Sequence, residues 1–261
     1  MFSSELRQYD VLVKTYYEEV IDKMNTDDYK KHAKILFSCH SCGIEGNTFT
    51  VDDTRALFEQ QLGFRPVGRS LYECQEMADH FVAYEYTFHH LDSPLDINLV
   101  KEINRLITLH TLTYKSPDAI PGEFTTVDMA AGDTVFGDHE QLVASLPRLL
   151  DATRQTMAEG HNHPMIIAAR FHGYFIYLHP FRDGNGRTAR LLSNWILAKS
   201  NLPHLIITSD HREEYISALK AIRKEGTDEH LIHFFIQTAI QSMTSELEQK
   251  KKHSTFTTFL F

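Results

Sequence analysis

Cysteine is scarce in this 261-residue chain: Cys39, Cys42 and Cys74 are the whole supply. Three thiols cannot form a disulfide framework, so the expected compartment is reducing and stability has to come from a packed core. No apolar run approaches the ~18 residues of a membrane-spanning helix, and the opening MFSSELRQYD has no apolar signal segment. Together these absences predict a cytoplasmic protein. Positive charge is short too. The 26 Lys and Arg against 35 Asp and Glu leave a net charge of −9, which argues against a nucleic-acid or membrane-surface binder. A phosphate site, if there is one, must be a local basic patch on an acidic body.

Cys39 and Cys42 form a Cys-x-x-Cys pair around His40. Zinc would need two further ligands at a suitable spacing, and a redox motif would want a preceding strand. Neither is present nearby, although 16 histidines leave a distant ligand pair open. Ordinary packing of helix cysteines is the preferred reading.

Most of the chain carries helical periodicity. Leu12, Tyr16, Val20 and Ile21 share one face of a helix over about 4–24, and a second helix runs from about Asp27 to Gly46. Thr50 with Asp53 three residues on is a capping signal for a helix through about Leu62. Two long helices follow from Ser70 and from Leu95. Residues 115–137 break the pattern with two prolines and three glycines, and predict a small hairpin or loop. Helical pattern resumes at 138–159, 164–178, 185–200, 212–225 and 228–251. The reading is all-α, with N-terminal helices over 1–65, a core over 66–251 and a β-prone tail at 252–261 that pairs with an edge or packs on the body.

The densest chemistry is HPFRDGNGRTAR at 179–190. Glycines at 184 and 186 let a loop curve with its N–H groups inward, into the N-terminus of the 185–200 helix, where unpaired donors and the dipole favour an anion. On that helix Leu192, Trp195, Ile196 and the stem of Lys199 define a buried side. Arg187 and Arg190, three apart, can point two guanidinium forks at adjacent phosphates. Asp183 adds a negative charge that makes sense beside phosphates if Mg²⁺ bridges them. His179 is placed to take a proton near neutral pH. Each feature alone has a bland explanation as a turn, a solvated helix face or a cap. Their co-occurrence in this order does not.

The order resembles the signature of the Fic family, His-x-Phe-x-Asp/Glu-Gly-Asn-Gly-Arg-x-x-Arg, without departure. The preceding HPMIIAARFHGYFIYLHPF resembles the family's lead-in helix. More loosely, GEFTTVDM resembles its β-hairpin flap, and the likeness spans about 35–225. The resemblance implies an all-α Fic fold with a small flap and an enzyme that transfers AMP from ATP to a Ser, Thr or Tyr hydroxyl of a target protein, releasing pyrophosphate. On that basis His179 is the base, Phe181 the anchor of the loop and Asp183 the Mg²⁺ ligand. Gly184, Asn185 and Gly186 make the anion hole, and Arg187 and Arg190 hold the distal phosphates. Asn194 and Tyr215 are nucleotide-pocket candidates, with packing an equal alternative. Glu123, Phe124, Val127 and Met129 belong to the flap that aligns the target by strand addition.

SCGIEG at 41–46 resembles the family's inhibitory motif, Ser/Thr-x-x-x-Glu-Gly/Asn. Its place ahead of the core is similar to the subclass that carries an inhibitory helix in the same chain. Glu45 would then occupy the Arg190 fork that a terminal phosphate needs, with Ser41 steadying the turn. The alternative is a solvated glutamate before a glycine cap. Other outcomes on the same fold also stay open: AMP removal, transfer of phosphate or another nucleotide group, or a silent nucleotide-binding module. Gly186 favours AMP transfer, because the resemblance places phosphate-transferring relatives among those that lack the second glycine. Self-modification fits the reading; oligomeric state is left open.

Overall fold

The computed structural model describes residues 2–63, 66–131 and 134–258. The boundary expected at residue 65 and the last three residues of the expected tail lie outside the described residues. Local signals set many of the ends. Helix α1 (Ser3–Tyr16) passes into a π-helical turn at Tyr17–Ile21, so the helix expected over 4–24 is not regular throughout. At this widened turn the Tyr16 hydroxyl donates to Glu246 (2.7 Å) and that of Tyr17 to the Asn201 carbonyl (2.9 Å). Helix α2 (Thr26–Ile44) starts at the Asn25 cap. The Thr50 and Asp53 capping box opens α3 (Val51–Gln60), and a second box, Ser70 with Glu73, opens α4 (Leu71–His89). These reciprocal bonds satisfy donors that a helix start cannot pair internally.

Helix α5 (Ile97–Thr108) is shorter than the helical pattern that begins at Leu95, which in the sequence continues to Tyr114. Asp79, buried on α4, accepts from the His110 backbone N–H (2.9 Å) and ring Nδ1 (2.6 Å), drawing that donor out of the helical ladder. A single turn, α6 (Leu112–Lys115), follows. The hairpin lies within 115–137, but at its C-terminal end: β1 (Ala130–Ala131) pairs antiparallel with β2 (Thr134–Val135). Glu123, Phe124, Val127 and Met129, expected on the flap strand, precede it in irregular backbone. There Thr125 Oγ1 donates to the Val127 carbonyl and accepts from the Val127 N–H, which curls the chain.

The remaining helices are α7 (Leu142–Glu159), α8 (Pro164–Leu178), α9 (Asn185–Lys199), α10 (Arg212–Glu225) and α11 (Glu229–Thr258). Helix α11 carries on through residues expected to be β-prone. Extending an existing helix adds one bond per residue with no new nucleation cost, which outweighs weak local propensity. Helices α8 and α9 pack along one another at the centre. Helix α9 is buried all round from Arg187 to Leu197 instead of on one side, and Lys199 is exposed, its ammonium 5.6 Å from the Trp195 ring. Tyr9, Val13 and Tyr16 of α1 join the same core as Phe234, Phe235 and Leu231 of α11. A smaller cluster of Cys42, Phe49, Leu57, Cys74, Met77 and Phe81 ties α2, α3 and α4 together. Cys39 and Cys42 are free and buried in this packing. No helix among the described residues is long and apolar enough to cross a membrane.

Candidate active site

The signature loop joins the two central helices, so its shape is fixed from both sides. Pro164 starts α8 and His179 ends it in the left-handed region (φ 51°), unusual for a residue with a side chain. Phe181 is buried and packs against Phe124, and the Asn185 side chain clasps it, accepting from the Phe181 N–H (3.0 Å) and donating to its carbonyl (2.7 Å). Gly184 has φ 78°, and a Cβ there would crowd Thr108, Asn104 and Ile107 of α5. Its N–H donates to Asp183 Oδ1 (2.8 Å). Of the expected anion-hole residues, Asn185 thus uses its side chain as a loop clasp and Gly184 directs its amide to Asp183. The donors left for an anion are the amides of the first turn of α9, which a helix cannot pair internally.

Both arginines lie under this turn and neither is solvated: Arg187 is 1% exposed and Arg190 3%. Arg187 Nη1 forms an ion pair with Glu76 Oε1 on α4 (2.8 Å), and Nη2 lies 3.3 Å from Asp183 Oδ2. Burial alone would lower its pKa, but Glu76 and Asp183 raise it, so it stays charged. Arg190 donates through Nε to Ser41 Oγ (3.0 Å) and through Nη2 to the Ser41 carbonyl and Glu45 Oε1 (both 2.7 Å). Its Nη1, fully buried, has no hydrogen-bond partner among the described residues, nor have Nε and Nη1 of Arg187, the latter an ion pair with Glu76 by distance but not aligned as a hydrogen bond. Buried, charged donors left open beside a helix N-terminus are what a phosphate oxygen would satisfy.

Glu45 is the C-cap residue of α2, and its carboxylate lies over α9 so closely that a Cβ on Gly186 would overlap Oε1. Burial pushes its pKa up, yet Arg190 and Arg187 outweigh that and hold it below the usual carboxylate range. Glu45 is the outermost member of the cluster, its side chain 34% exposed.

His179 lies on the other side of the loop under Phe136, which stacks on its ring (centroids 3.7 Å apart, planes at 17°). Burial drives its pKa down to about 4, so the imidazole is neutral at pH 7. Arg223 on α10 stands over Phe136 and Tyr177 and donates to the carbonyls of Val135 and Tyr177, tying β2 to the end of α8. A groove of about 350 Å³ opens there, walled by Phe136, Ile176, Ile216, Leu219 and Ile222. Residues 94–197, with the loop at their C-terminal end, match the Fic/DOC family. The chain carries a Fic domain.

Comparison with whole proteins agrees. The chain is 31% identical over 231 residues to protein adenylyltransferase Fic of Drosophila yakuba, a match covering 85% of this chain and 44% of that protein. It therefore spans less than half of such relatives. The fold is that of a Fic domain-containing signaling protein from Bacteroides thetaiotaomicron (TM-score 0.80, 23% identity, covering 94% of this chain and 97% of that one). Fic-1 from C. elegans also superposes (TM-score 0.80, 24% identity, 96% and 73% covered).

The fold brings Asp183, Gly186, Arg187 and Arg190 into one cluster with Ser41 and Glu45, far apart in sequence, with His179 on the other side of the loop. Asn194 uses its side chain on backbone, donating to the carbonyls of Arg190 and Leu205 and accepting from the Leu205 N–H. Tyr215 is buried, hydrogen-bonded to His172 (2.7 Å) and 6.0 Å from the Arg190 guanidinium. Near the flap, the Thr125 N–H donates to the Pro180 carbonyl (2.8 Å), and Phe124 and Phe181 form a backbone bridge. Glu123 is exposed and paired with Lys101, Val127 is 42% exposed, and the Met129 carbonyl accepts from Phe136.

Sequence reasoning missed Glu76, Lys115 and Phe136, none of which sits in a motif. Lys115 Nζ approaches Asp183 Oδ2 at 3.4 Å. Asp183 is 21% exposed and held on that oxygen only by the long contacts to Lys115 and Arg187, so it can turn one lone pair to a divalent cation. The cluster with metal-ligand spacing among the described residues is Asp128, Asp138 and His139, outside the loop. A cation at Asp183 would therefore draw its other ligands from phosphate and water, which suits Mg²⁺.

Proposed function

We propose that the protein is a protein adenylyltransferase, transferring AMP from ATP to a hydroxyl side chain of a target protein, and that Glu45 restrains it. The observation that carries this reading is the pair of buried arginines below the first turn of α9, with open donors and one of the two forks held by Glu45. ATP phosphates would lie on the amides of that turn, with Arg190 and Arg187 engaging the distal oxygens. Bound Mg²⁺ would supply charge neutralisation between phosphates, and Asp183 is the residue to hold it. The apolar groove beside Phe136 offers a surface for the nucleoside.

His179, neutral at pH 7, accepts the proton of the target hydroxyl as its oxygen attacks the α-phosphorus. The bond to the β-phosphate oxygen breaks and pyrophosphate leaves. The irregular stretch 123–129 borders the loop and is the surface on which a target segment would be aligned. With Glu45 on Arg190, a terminal phosphate meets a carboxylate where it needs a guanidinium, so ATP binds poorly or out of line.

The test supplies Mg²⁺ and labelled nucleotides to the wild-type chain and to Glu45→Gly, with candidate protein targets from lysate and the chain itself. Mass increments then identify the group transferred. AMP on a hydroxyl side chain is expected from ATP, more in the variant. Transfer of phosphate instead, removal of pre-installed AMP without transfer, or ATP binding with no chemistry in either chain would replace this reading with the corresponding alternative.

A further inference from the structure

Arg187 is the more deeply buried clamp, and its partner is contributed from outside the signature. Glu76, in the middle of α4, has a side chain 3% exposed and faces Arg187 at 2.8 Å with Oε1. The Tyr72 hydroxyl reaches the same oxygen at 3.5 Å. The second oxygen, Oε2, accepts from Asn47 Nδ2 at 2.8 Å. Asn47 is two residues after Glu45. Its Nδ2 also donates to the Glu73 carbonyl (3.1 Å), its Oδ1 accepts from the Phe49 N–H (3.1 Å) and its backbone N–H donates to the Cys42 carbonyl (3.2 Å). One buried carboxylate is therefore divided between a phosphate clamp and the segment that carries the restraining glutamate.

We propose that Glu76 is a positioning residue that orients Arg187 for the phosphates and, through Asn47, couples Arg187 to the docking of Glu45. This rests on the phosphate-site reading above. A buried guanidinium with a flexible stem needs a fixed counter-charge to present its remaining donors in one direction. Asp183 cannot serve that purpose alone, because it lies farther away and is the group a cation would draw off. The carboxylate also helps to fix the turn after Glu45: if Asn47 lets go of Oε2, that turn loses the one of its ties to α4 that is shared with Arg187, leaving those to Glu73. Loading of the phosphate clamp and release of the restraint then share one side chain.

Two variants test this, each made with and without Glu45→Gly and read first by ATP affinity in Mg²⁺ by calorimetry. Glu76→Gln removes the charge facing Arg187 and turns an amide N–H₂ either to Arg187 and the Tyr72 hydroxyl or to Asn47, all of them donors. In the Glu45→Gly chain it should weaken ATP binding at least ~10-fold, the loss of a charge-assisted contact, with Glu76→Asp recovering part of it. Asn47→Ala leaves the Glu76–Arg187 pair in place. With Glu45 present it should raise ATP affinity and transfer at least ~5-fold, as a coupling contact requires; in the Glu45→Gly chain it should change neither. If Glu76→Gln fails to give a cooperative melt, the Asn47→Ala pair decides. Unchanged ATP affinity in a folded Glu76→Gln, or an equal effect of Asn47→Ala in both backgrounds, overturns the proposal. ATP binding without AMP transfer in Glu45→Gly overturns only the transferase reading, whereas no ATP binding at all overturns both.

Discussion

Replacing Glu45 with glycine removes the carboxylate that, on the proposed reading, a terminal phosphate of ATP would displace from Arg190. The contact is a single charge-assisted hydrogen bond of 2.7 Å with its acid end about one-third exposed. Such bonds are worth ~1.5–3 kcal/mol net, which is roughly 10- to 150-fold in an equilibrium constant. Partial exposure places the expectation near the lower end. The fold should tolerate the change, since Arg190 keeps Ser41 Oγ and the Ser41 carbonyl as acceptors; a cost of at most ~1–3 kcal/mol is expected. Calorimetry of Mg-ATP binding and incorporation of labelled AMP, at equal protein concentration, read the two consequences separately. Arg190→Ala combined with Glu45→Gly should remain inactive, because the fork that was freed is itself required. Equal ATP affinity and equal transfer in wild type and Glu45→Gly, with binding seen in both, would refute the restraint while leaving the transferase reading intact.

The other outcomes concern the base, the pH range and the cation. His179→Ala should lower the transfer rate of the Glu45→Gly chain by ~10²–10⁴-fold, the usual worth of a general base, with ATP affinity nearly unchanged. Similar rates would remove His179 from the chemistry. Because burial holds the His179 pKa near 4, the acid limb of kcat/KM should lie well below the ordinary histidine value of 6.5. A limb at 6.5 would mean that Phe136 does not cover the ring in solution. His80 and His172 are also buried and neutral, with folded pKa values below 6.5, that of His172 about 3. The unfolded chain binds more protons in that window, so stability is complete above ~6.5 and is lost as pH falls through it, by ~1.4 kcal/mol per unit for each group. Denaturant midpoints equal at pH 7 and pH 5 would contradict this. Asp183→Ala should abolish the gain in ATP affinity that Mg²⁺ gives the Glu45→Gly chain, and an undiminished gain would place the cation elsewhere.

Local rules fixed much of this protein in advance. The capping boxes at Thr50 and Ser70, the Pro164 start of α8 and the glycine-rich link from α8 to α9 follow from short-range hydrogen bonding and backbone freedom, which neighbouring residues carry by themselves. The chemistry of 179–190 was legible for the same reason: its members lie within one loop and one helical turn. Tertiary structure decided the rest. Asp79 ended α5 early by capturing His110, although nothing near residue 108 in the sequence announces a stop. Burial of α9 on all sides followed from helices packing around it, which its own periodicity could not express. Glu76 was invisible because its role depends on α4 lying against α9, and a glutamate in a helix reads as solvated until a buried arginine faces it. Phe136 covers His179 only because the hairpin folds back over α8. Glu45 and Arg190 stand 145 positions apart. The resemblance named them as a pair, and three-dimensional packing brought the carboxylate to 2.7 Å from the guanidinium.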